Sequence, residues 1–104
     1  MTIPKRGEVW LIDLGYAGKR RPGLVISVPY DDADRALVKL VTHTTSIRGT
    51  AYEVSIDVRF LDPGAFDVQN VISISRAKVE RKLGVLTDDQ FRLVETSLRS
   101  WLGL

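Results

Sequence analysis

The sequence contains no cysteine, a single histidine and no long apolar run, and each absence excludes a class of protein. Without cysteine there is neither a disulfide framework nor a thiolate metal site. A cysteine–histidine dyad is excluded too, and a zinc site would need carboxylates around the one imidazole, that of His43. No segment approaches the roughly 18 apolar residues that span a bilayer, and residues 1–6 lack the apolar stretch of a secretory signal. We therefore expect a cytoplasmic protein that does not enter a membrane.

The composition is typical of one globular domain, because 44% of the 104 residues are hydrophobic and 27% are charged. The net charge of +2 decides little, but the basic residues are clustered. One cluster is Lys-Arg-Arg at 19–21, and the other comprises Arg76, Lys78, Arg81 and Lys82. Charge alone favours an ordinary solvated surface for both clusters, although such clusters also bind phosphates.

Five short segments have the composition and the apolar alternation of β-strands. They lie at 8–14, 23–28, 36–42, 52–57 and 68–75. Turn residues separate them, and the first two are joined by a predicted loop at 16–19. Such closely spaced strands indicate a strongly bent antiparallel sheet or a small barrel.

The C-terminal segment has the periodicity of a helix. Thr87 and Gln90 have the spacing of a capping box, and Gly103 marks the end. One apolar stripe follows at helical spacing, formed by Phe91, Val94, Leu98, Trp101 and Leu102. We therefore predict a mainly β fold of about five to seven antiparallel strands, with a C-terminal α-helix covering an open face. Periodicity does not distinguish an SH3-like barrel from an OB-like one.

The side chains left for catalysis are arginine, lysine, hydroxyl and carboxylate groups, and there is no glycine-rich phosphate loop. This set suits RNA cleavage, because RNA carries its own nucleophile, the 2′-hydroxyl, beside each phosphate. An enzyme then needs to align that oxygen, neutralise the phosphoryl oxygens with a guanidinium and add a hydrogen bond at the developing charge. Such chemistry requires no metal and no cofactor. The acidic segment 31–34 lacks the glycine and the distal glutamate of a calcium loop, so we predict a solvated turn there.

Two motifs resemble a known family of toxins. Arg6-Gly7-Glu8-Val9-Trp10, followed by Arg-Pro-Gly-Leu-Val-Ile-Ser at 21–27, is similar to the N-terminal signature of the MazF/PemK/Kid toxins. Val41-Thr42 and the Leu-Gly-Val-Leu-Thr segment at 83–87 match it more weakly. The resemblance implies one toxin domain over 1–104 with an SH3-like barrel, acting as a homodimer. It also implies metal-independent, sequence-specific cleavage of single-stranded RNA by 2′-hydroxyl attack, and a cognate antitoxin protein that covers the RNA groove.

The resemblance also assigns site residues. Arg21 matches the catalytic arginine that binds the scissile phosphate, and Thr42 matches the hydroxyl residue that hydrogen-bonds the same phosphate. The remaining candidates for RNA contacts are Lys19, Arg20, Arg76, Ser46 and Arg48. Some members carry an arginine and an aspartate in the strand before the last helix, but residues 71–76 contain no aspartate here. The residue that accepts the proton is therefore not identified.

Other polar and aromatic residues have simpler interpretations. His43 follows Thr42 and falls on the opposite face of a strand, where we expect a surface or loop residue. Trp10 and Trp101 are expected to pack in the core or in a dimer interface rather than to stack on bases.

Two other functions remain open. A non-enzymatic gyrase poison of the CcdB type would depend on the C-terminal residues 101–104 rather than on Arg21. A binding module on a small barrel would bind nucleic acid or protein without cleaving it, since small barrels support many functions. The Arg-Pro motif at 21–22 favours the ribonuclease.

Overall fold

A computed structural model describes residues 2–15 and 19–104, in which six strands pair into one antiparallel sheet. The strands are β1 (Glu8–Asp13), β2 (Arg20–Val25), β3 (Leu37–Thr44), β4 (Glu53–Val54), β5 (Ala65–Ser75) and β6 (Val79–Val85). A single 3₁₀ turn, Arg76–Lys78, joins β5 to β6, and helix α1 spans Asp88–Leu102. Most of the loop predicted at 16–19 lies outside the described residues. The mainly β fold with a C-terminal helix is thus confirmed.

The order of the strands across the sheet is β4-β5-β3-β2-β1-β6. The edge strands β4 and β6 each pair with one neighbour only, as far as the described residues show, so the sheet is not closed. The predicted term SH3-like barrel therefore applies only loosely to this open, bent sheet.

Two apolar clusters hold the sheet in place, one on each face. Alternation sends Val9 to the cluster beneath α1 and its neighbour Trp10 to the other cluster. The cluster beneath the helix includes six fully buried residues, namely Val9, Leu24, Val41, Phe66, Val68 and Val94. The second cluster comprises Trp10, Ile12, Val25, Val38, Leu40 and Val79. Trp10 is thus a core residue, as predicted.

Helix α1 begins and ends as its sequence predicts. The Thr87 hydroxyl accepts a hydrogen bond from the Gln90 amide at 3.1 Å, and the Gln90 side chain accepts one from the Thr87 amide at 2.9 Å. Gly103 closes the helix in the left-handed conformation, with φ of 72°. Val94 is buried, whereas Trp101 is 43% exposed at the last turn. No helix in the described ranges is both long and apolar enough to cross a membrane.

The structure differs from the sequence prediction mainly in strand ends and in β6. Strand β6 was not predicted, because its sequence VERKLGV has three consecutive charged residues instead of alternation, and it pairs with β1 at the edge of the sheet. Strand β2 begins at Arg20 rather than at 23, and Pro22 lies within it before the residues that pair with β3. Strand β3 extends to Thr44, two residues past its predicted end, whereas β4 covers only Glu53–Val54.

Candidate functional site

The ends of β2 and β3 bring an arginine and two threonines onto one face of the sheet. Gly23 of β2 is the partner of Thr42 of β3. Arg21 lies two residues before Gly23 and Thr44 lies two residues after Thr42, so side-chain alternation extends the same row on the same face. Arg21 and Thr44 therefore lie on the face of Thr42, beyond the last paired residues of β2 and β3.

This row lines a cleft of about 680 Å³, which we call the main cleft. It is bordered by Leu14, Arg21, Thr42, Thr44, Ser46, Arg48, Glu53, Asp67, Gln69, Asn70 and Trp101. Four of the sequence-predicted site residues are thus brought together here, namely Arg21, Thr42, Ser46 and Arg48.

The two threonines of the main cleft differ in access. Thr42 is only 2% exposed, and its hydroxyl donates a long hydrogen bond of 3.4 Å to the carbonyl of Asn70. Thr44 is half-buried, and its hydroxyl oxygen accepts a hydrogen bond of 3.0 Å from the Ser46 amide. That bond uses Thr44 as an acceptor and leaves its O–H group to donate. The role predicted for Thr42 stays a prediction, and the geometry adds Thr44 as a candidate.

Two carboxylates lie in the same row, further across the sheet. Asp67 of β5 is the partner of Thr42 on one side and of Glu53 on the other, and the Cβ atoms of such pairs lie about 5 Å apart. Glu53 accepts hydrogen bonds from the amides of Arg48 at 2.9 Å and Thr50 at 2.7 Å. The bond from the Arg48 amide is the main cause that lowers the pKa of Glu53, so this carboxylate stays charged and holds the loop at 46–50.

An irregular segment of β5 forms another wall of the main cleft. Val41 pairs with Val71, but the next residue, Thr42, pairs with Asp67, so residues 68–70 have no partner in β3. We call residues 68–70 the β5 bulge. Val68 is buried in the core, whereas Gln69 and Asn70 are exposed and line the cleft.

A second, smaller space of about 290 Å³ adjoins the main cleft and shares Arg21 with it. We call it the side cleft. It is lined by Lys19, Arg20, Arg21, Pro22, His43, Thr45 and Asp62. Arg20 forms an ion pair of 2.7 Å with Glu80. Both Lys19 and Arg20 are thus close to Arg21, and their role in RNA binding stays a prediction.

The expectation that His43 is a surface or loop residue is wrong. Alternation does place it on the face opposite to Thr42, but that face is covered, and His43 is only 3% exposed. Its ring packs edge-on against Phe66 with a centroid distance of 5.1 Å. The backbone of Gly64 lies so close to the ring and to Thr44 that no Cβ would fit there. Burial lowers the pKa of His43, and the nearby charge of Asp62 opposes this shift only in part.

Arg76 is not brought to either cleft. Its guanidinium donates hydrogen bonds to the Thr2 carbonyl at 2.7 Å and to the Val79 carbonyl at 2.7 Å. It also lies over the Trp10 ring, 5.3 Å from the centroid. These contacts tie the N-terminal segment to the start of β6, and the RNA contact predicted for Arg76 stays a prediction.

Sequence reasoning missed seven residues of the main cleft, namely Leu14, Thr44, Glu53, Asp67, Gln69, Asn70 and Trp101. The signal for Thr44 was the continued run of β-branched residues past Thr42. The β5 bulge had no such signal, because the register between β3 and β5 is not visible in either segment alone. Over 2–15 and 19–104, no three His, Asp or Glu side chains group together as metal ligands would.

The fold and the main cleft define a class of protein: a small, helix-covered β-sheet whose cleft offers cations and hydroxyl groups to an anionic ligand. The sequence model of PemK-like, MazF-like toxins of type II toxin–antitoxin systems matches residues 5–102. The chain therefore belongs to this family, as the motifs at 6–10 and 21–27 predicted.

Individual relatives agree with this assignment. The probable endoribonuclease MazF5 of Mycobacterium tuberculosis is 37% identical over 107 aligned positions, covering 93% of this chain and 91% of the relative. A solved mycobacterial endoribonuclease in complex with its cognate antitoxin has a TM-score of 0.83 at 28% identity, covering 97% of this chain and 96% of its own. A MazE–MazF structure from Deinococcus radiodurans has a TM-score of 0.85 at 23% identity, covering 100% and 99%, and supports the fold alone.

Proposed function

We propose that this toxin is a cytoplasmic endoribonuclease that cuts single-stranded RNA at specific sequences without a metal or a cofactor. The observation that carries the proposal is the row of Arg21, Thr42 and Thr44 at the end of the β2–β3 hairpin, open to the main cleft. A guanidinium beside hydroxyl groups can bind the oxygens of a phosphodiester through charge and hydrogen bonds. The endoribonuclease relatives support the same reaction.

In the proposed mechanism, the 2′-hydroxyl of RNA attacks the adjacent phosphorus and the bond to the 5′-oxygen breaks. The products are a 2′,3′-cyclic phosphate and a 5′-hydroxyl end. Arg21 binds the phosphoryl oxygens and stabilises the charge that builds on them in the transition state. Thr44 donates its O–H to the same oxygens. Thr42 stays buried, and its hydroxyl donates to the Asn70 carbonyl.

The 2′-hydroxyl must lose a proton as it attacks, and we assign the acceptor to Asp67. Both carboxylates face the cleft, but Glu53 already accepts two backbone amides. Among residues 2–15 and 19–104, Asp67 accepts only one, from Gln69 at 3.2 Å through Oδ1. Its Oδ2 oxygen is therefore available to the substrate, and the leaving 5′-oxygen takes up a proton from water in the open cleft.

We also propose that the protein is a homodimer held inactive by a cognate antitoxin. The support is the solved relative, which is described as bound to its cognate antitoxin. An antitoxin that covers the main cleft would block Arg21 and Thr44 together. Its binding is expected to protect RNA from cleavage in proportion to the antitoxin added.

The test is to incubate purified protein with a long single-stranded RNA in EDTA and to map the fragment ends. We expect cuts at a short recurrent sequence that leave 5′-hydroxyl ends. Arg21→Ala is expected to lower the rate by about 100-fold to 1,000-fold, the loss typical of one oxyanion-stabilising donor. Arg59→Ala, which removes an exposed arginine outside both clefts, serves as the control.

If wild type and Arg21→Ala both leave RNA intact while a family member cuts it, the ribonuclease proposal fails for that substrate. Growth arrest that survives Arg21→Ala would then favour the gyrase poison. Harmless expression would favour the binding module.

A further inference from the structure

The β5 bulge places two amide side chains in the main cleft that the proposed cleavage reaction does not use. Gln69 and Asn70 are consecutive, exposed and part of the cleft wall. In a regular strand, neighbours point to opposite faces. The bulge interrupts this alternation, so both amides border the same space.

The hydrogen bonds that hold the bulge use its backbone rather than these two side chains. The Val68 amide donates to the Tyr52 carbonyl at 3.0 Å, and the Gln69 amide donates to Asp67 Oδ1 at 3.2 Å. The Asn70 carbonyl accepts from the Thr42 hydroxyl at 3.4 Å. Within the described part of the chain, both carboxamide groups are therefore available to a ligand, on a backbone that is held by hydrogen bonds.

An aromatic ring lies at the rim of the same cleft. Trp101 is 43% exposed and packs on Tyr52, with a centroid distance of 5.1 Å and a tilt of 57°. Tyr52 is in turn bonded to the bulge through its carbonyl. The bulge and the indole are thus held together as one unit, which combines hydrogen-bonding groups with a surface on which a base can stack.

The two ends of the main cleft differ in charge. Arg21 lies on β2 and the bulge lies on β5, two strand spacings or about 10 Å away. At the bulge end, the carboxylates of Asp67 and Glu53 disfavour a phosphate. A phosphate bound at Arg21 therefore leaves the bulge end for the base of a neighbouring nucleotide. Carboxamides bind phosphate weakly but match the edge of a base, and Asn or Gln pairs preferentially with adenine through one donor and one acceptor.

Resting on the proposed ribonuclease function, we propose that the β5 bulge reads one base of the RNA and that this base is adenine. Asn70 and Gln69 supply the hydrogen bonds, and Trp101 supplies the stacking surface. Single-stranded RNA suits this site, because its unpaired bases expose their edges to side chains. The bulge then determines where Arg21 cuts without taking part in the cut.

The experiment compares wild type with Asn70→Asp and Gln69→Ala on a randomised single-stranded RNA library with sequenced ends. Asn70→Asp keeps the size of the side chain but removes its donor. We expect wild type to enrich adenine at one position near the cut, and Asn70→Asp to reduce that preference about tenfold or more. Gln69→Ala should weaken it in the same direction. Ser55→Asp, which adds the same charge at an exposed residue outside the main cleft, should leave the preference unchanged.

Two results would overturn the inference: an unchanged base preference in Asn70→Asp, or a folded Asn70→Asp protein that no longer cuts any sequence. Binding of ten-nucleotide oligo(A), oligo(C), oligo(G) and oligo(U) is measured in parallel, so that the inference does not depend on cleavage. A wild type that cuts nothing contradicts the proposed function. In that case, a preference for oligo(A) that Asn70→Asp loses still supports the inference, and equal binding by both proteins overturns it.

Discussion

The two faces of β3 place polar side chains in different surroundings. Thr42 and Thr44 lie on the face that lines the main cleft, whereas His43 between them lies on the face that packs against Phe66. All three residues are polar and consecutive in a strand of alternating character. Thr42 and His43 are both buried, and only Thr44 is partly exposed. The two faces of β3 therefore differ in what surrounds the side chains, which is polar cleft residues on one face and the apolar core on the other.

We therefore expect substitutions on the two faces of β3 to affect different properties, cleavage on one face and stability on the other. The cleft face holds groups that a substrate can reach, and changes there should alter cleavage with little effect on folding. The covered face holds an imidazole whose pKa is lowered by burial and whose Nε2 atom has no hydrogen-bond partner in the described structure. Changes there should alter stability and its pH dependence while the cleavage chemistry remains.

The largest effect beyond that of Arg21 is expected at Asp67. Asp67→Asn keeps an oxygen that can accept from the Gln69 amide, so the bulge should persist while the proton acceptor is lost. Removing a general base typically lowers the rate by about 100-fold to 10,000-fold. The measurement is the single-turnover rate of cleavage at saturating protein.

Asp67→Ala offers a sharper version of the same test, because it leaves room for a small carboxylate. Added acetate is expected to restore part of the lost rate in Asp67→Ala but not in Arg21→Ala. Asp57→Ala removes an exposed carboxylate that does not line the main cleft and should cleave like wild type. If Asp67→Asn cuts at the wild-type rate, Asp67 is not the acceptor.

A smaller effect should distinguish the two threonines. Thr44→Val removes the accessible hydroxyl and is expected to slow cleavage about 10-fold to 100-fold, the loss expected for one hydrogen bond to a charged group. Thr42→Val removes a hydroxyl that is buried and makes only a long bond, so we expect a change of less than about threefold. Thr44→Ser keeps the hydroxyl and serves as the control. The reverse order of the two valine variants would return the catalytic role to Thr42.

Local signals account for what could be predicted from the sequence. The capping box at Thr87 and Gln90 depends on a few adjacent residues, and the structure places it as expected. The Arg-Pro motif at 21–22 is equally local, but the structure places it inside β2 rather than before the strand. The β5 bulge and the pairing of Asp67 with Thr42 depend on register between segments some 25 residues apart. Strand β6 pairs at the edge of the sheet and lacks alternation, so its sequence resembles a polar loop.

The smallest predicted effect concerns His43, on the covered face. Because burial lowers its pKa in the folded protein, the unfolded chain binds the proton first as the pH falls below about 6.5. The free energy of unfolding should therefore decrease on acidification through this range, by at most about 1.4 kcal/mol per pH unit. His43→Leu removes the only imidazole of the chain and should lose this dependence below about pH 6.5, while RNA cleavage at pH 7.5 persists. Urea unfolding of both proteins at pH 7.5, 6.5 and 5.5 measures the difference. If the free energy of unfolding changes with pH equally in the two proteins, His43 accepts a proton as readily in the folded state as in the unfolded state. The covered face of β3 would then tolerate a charged imidazole.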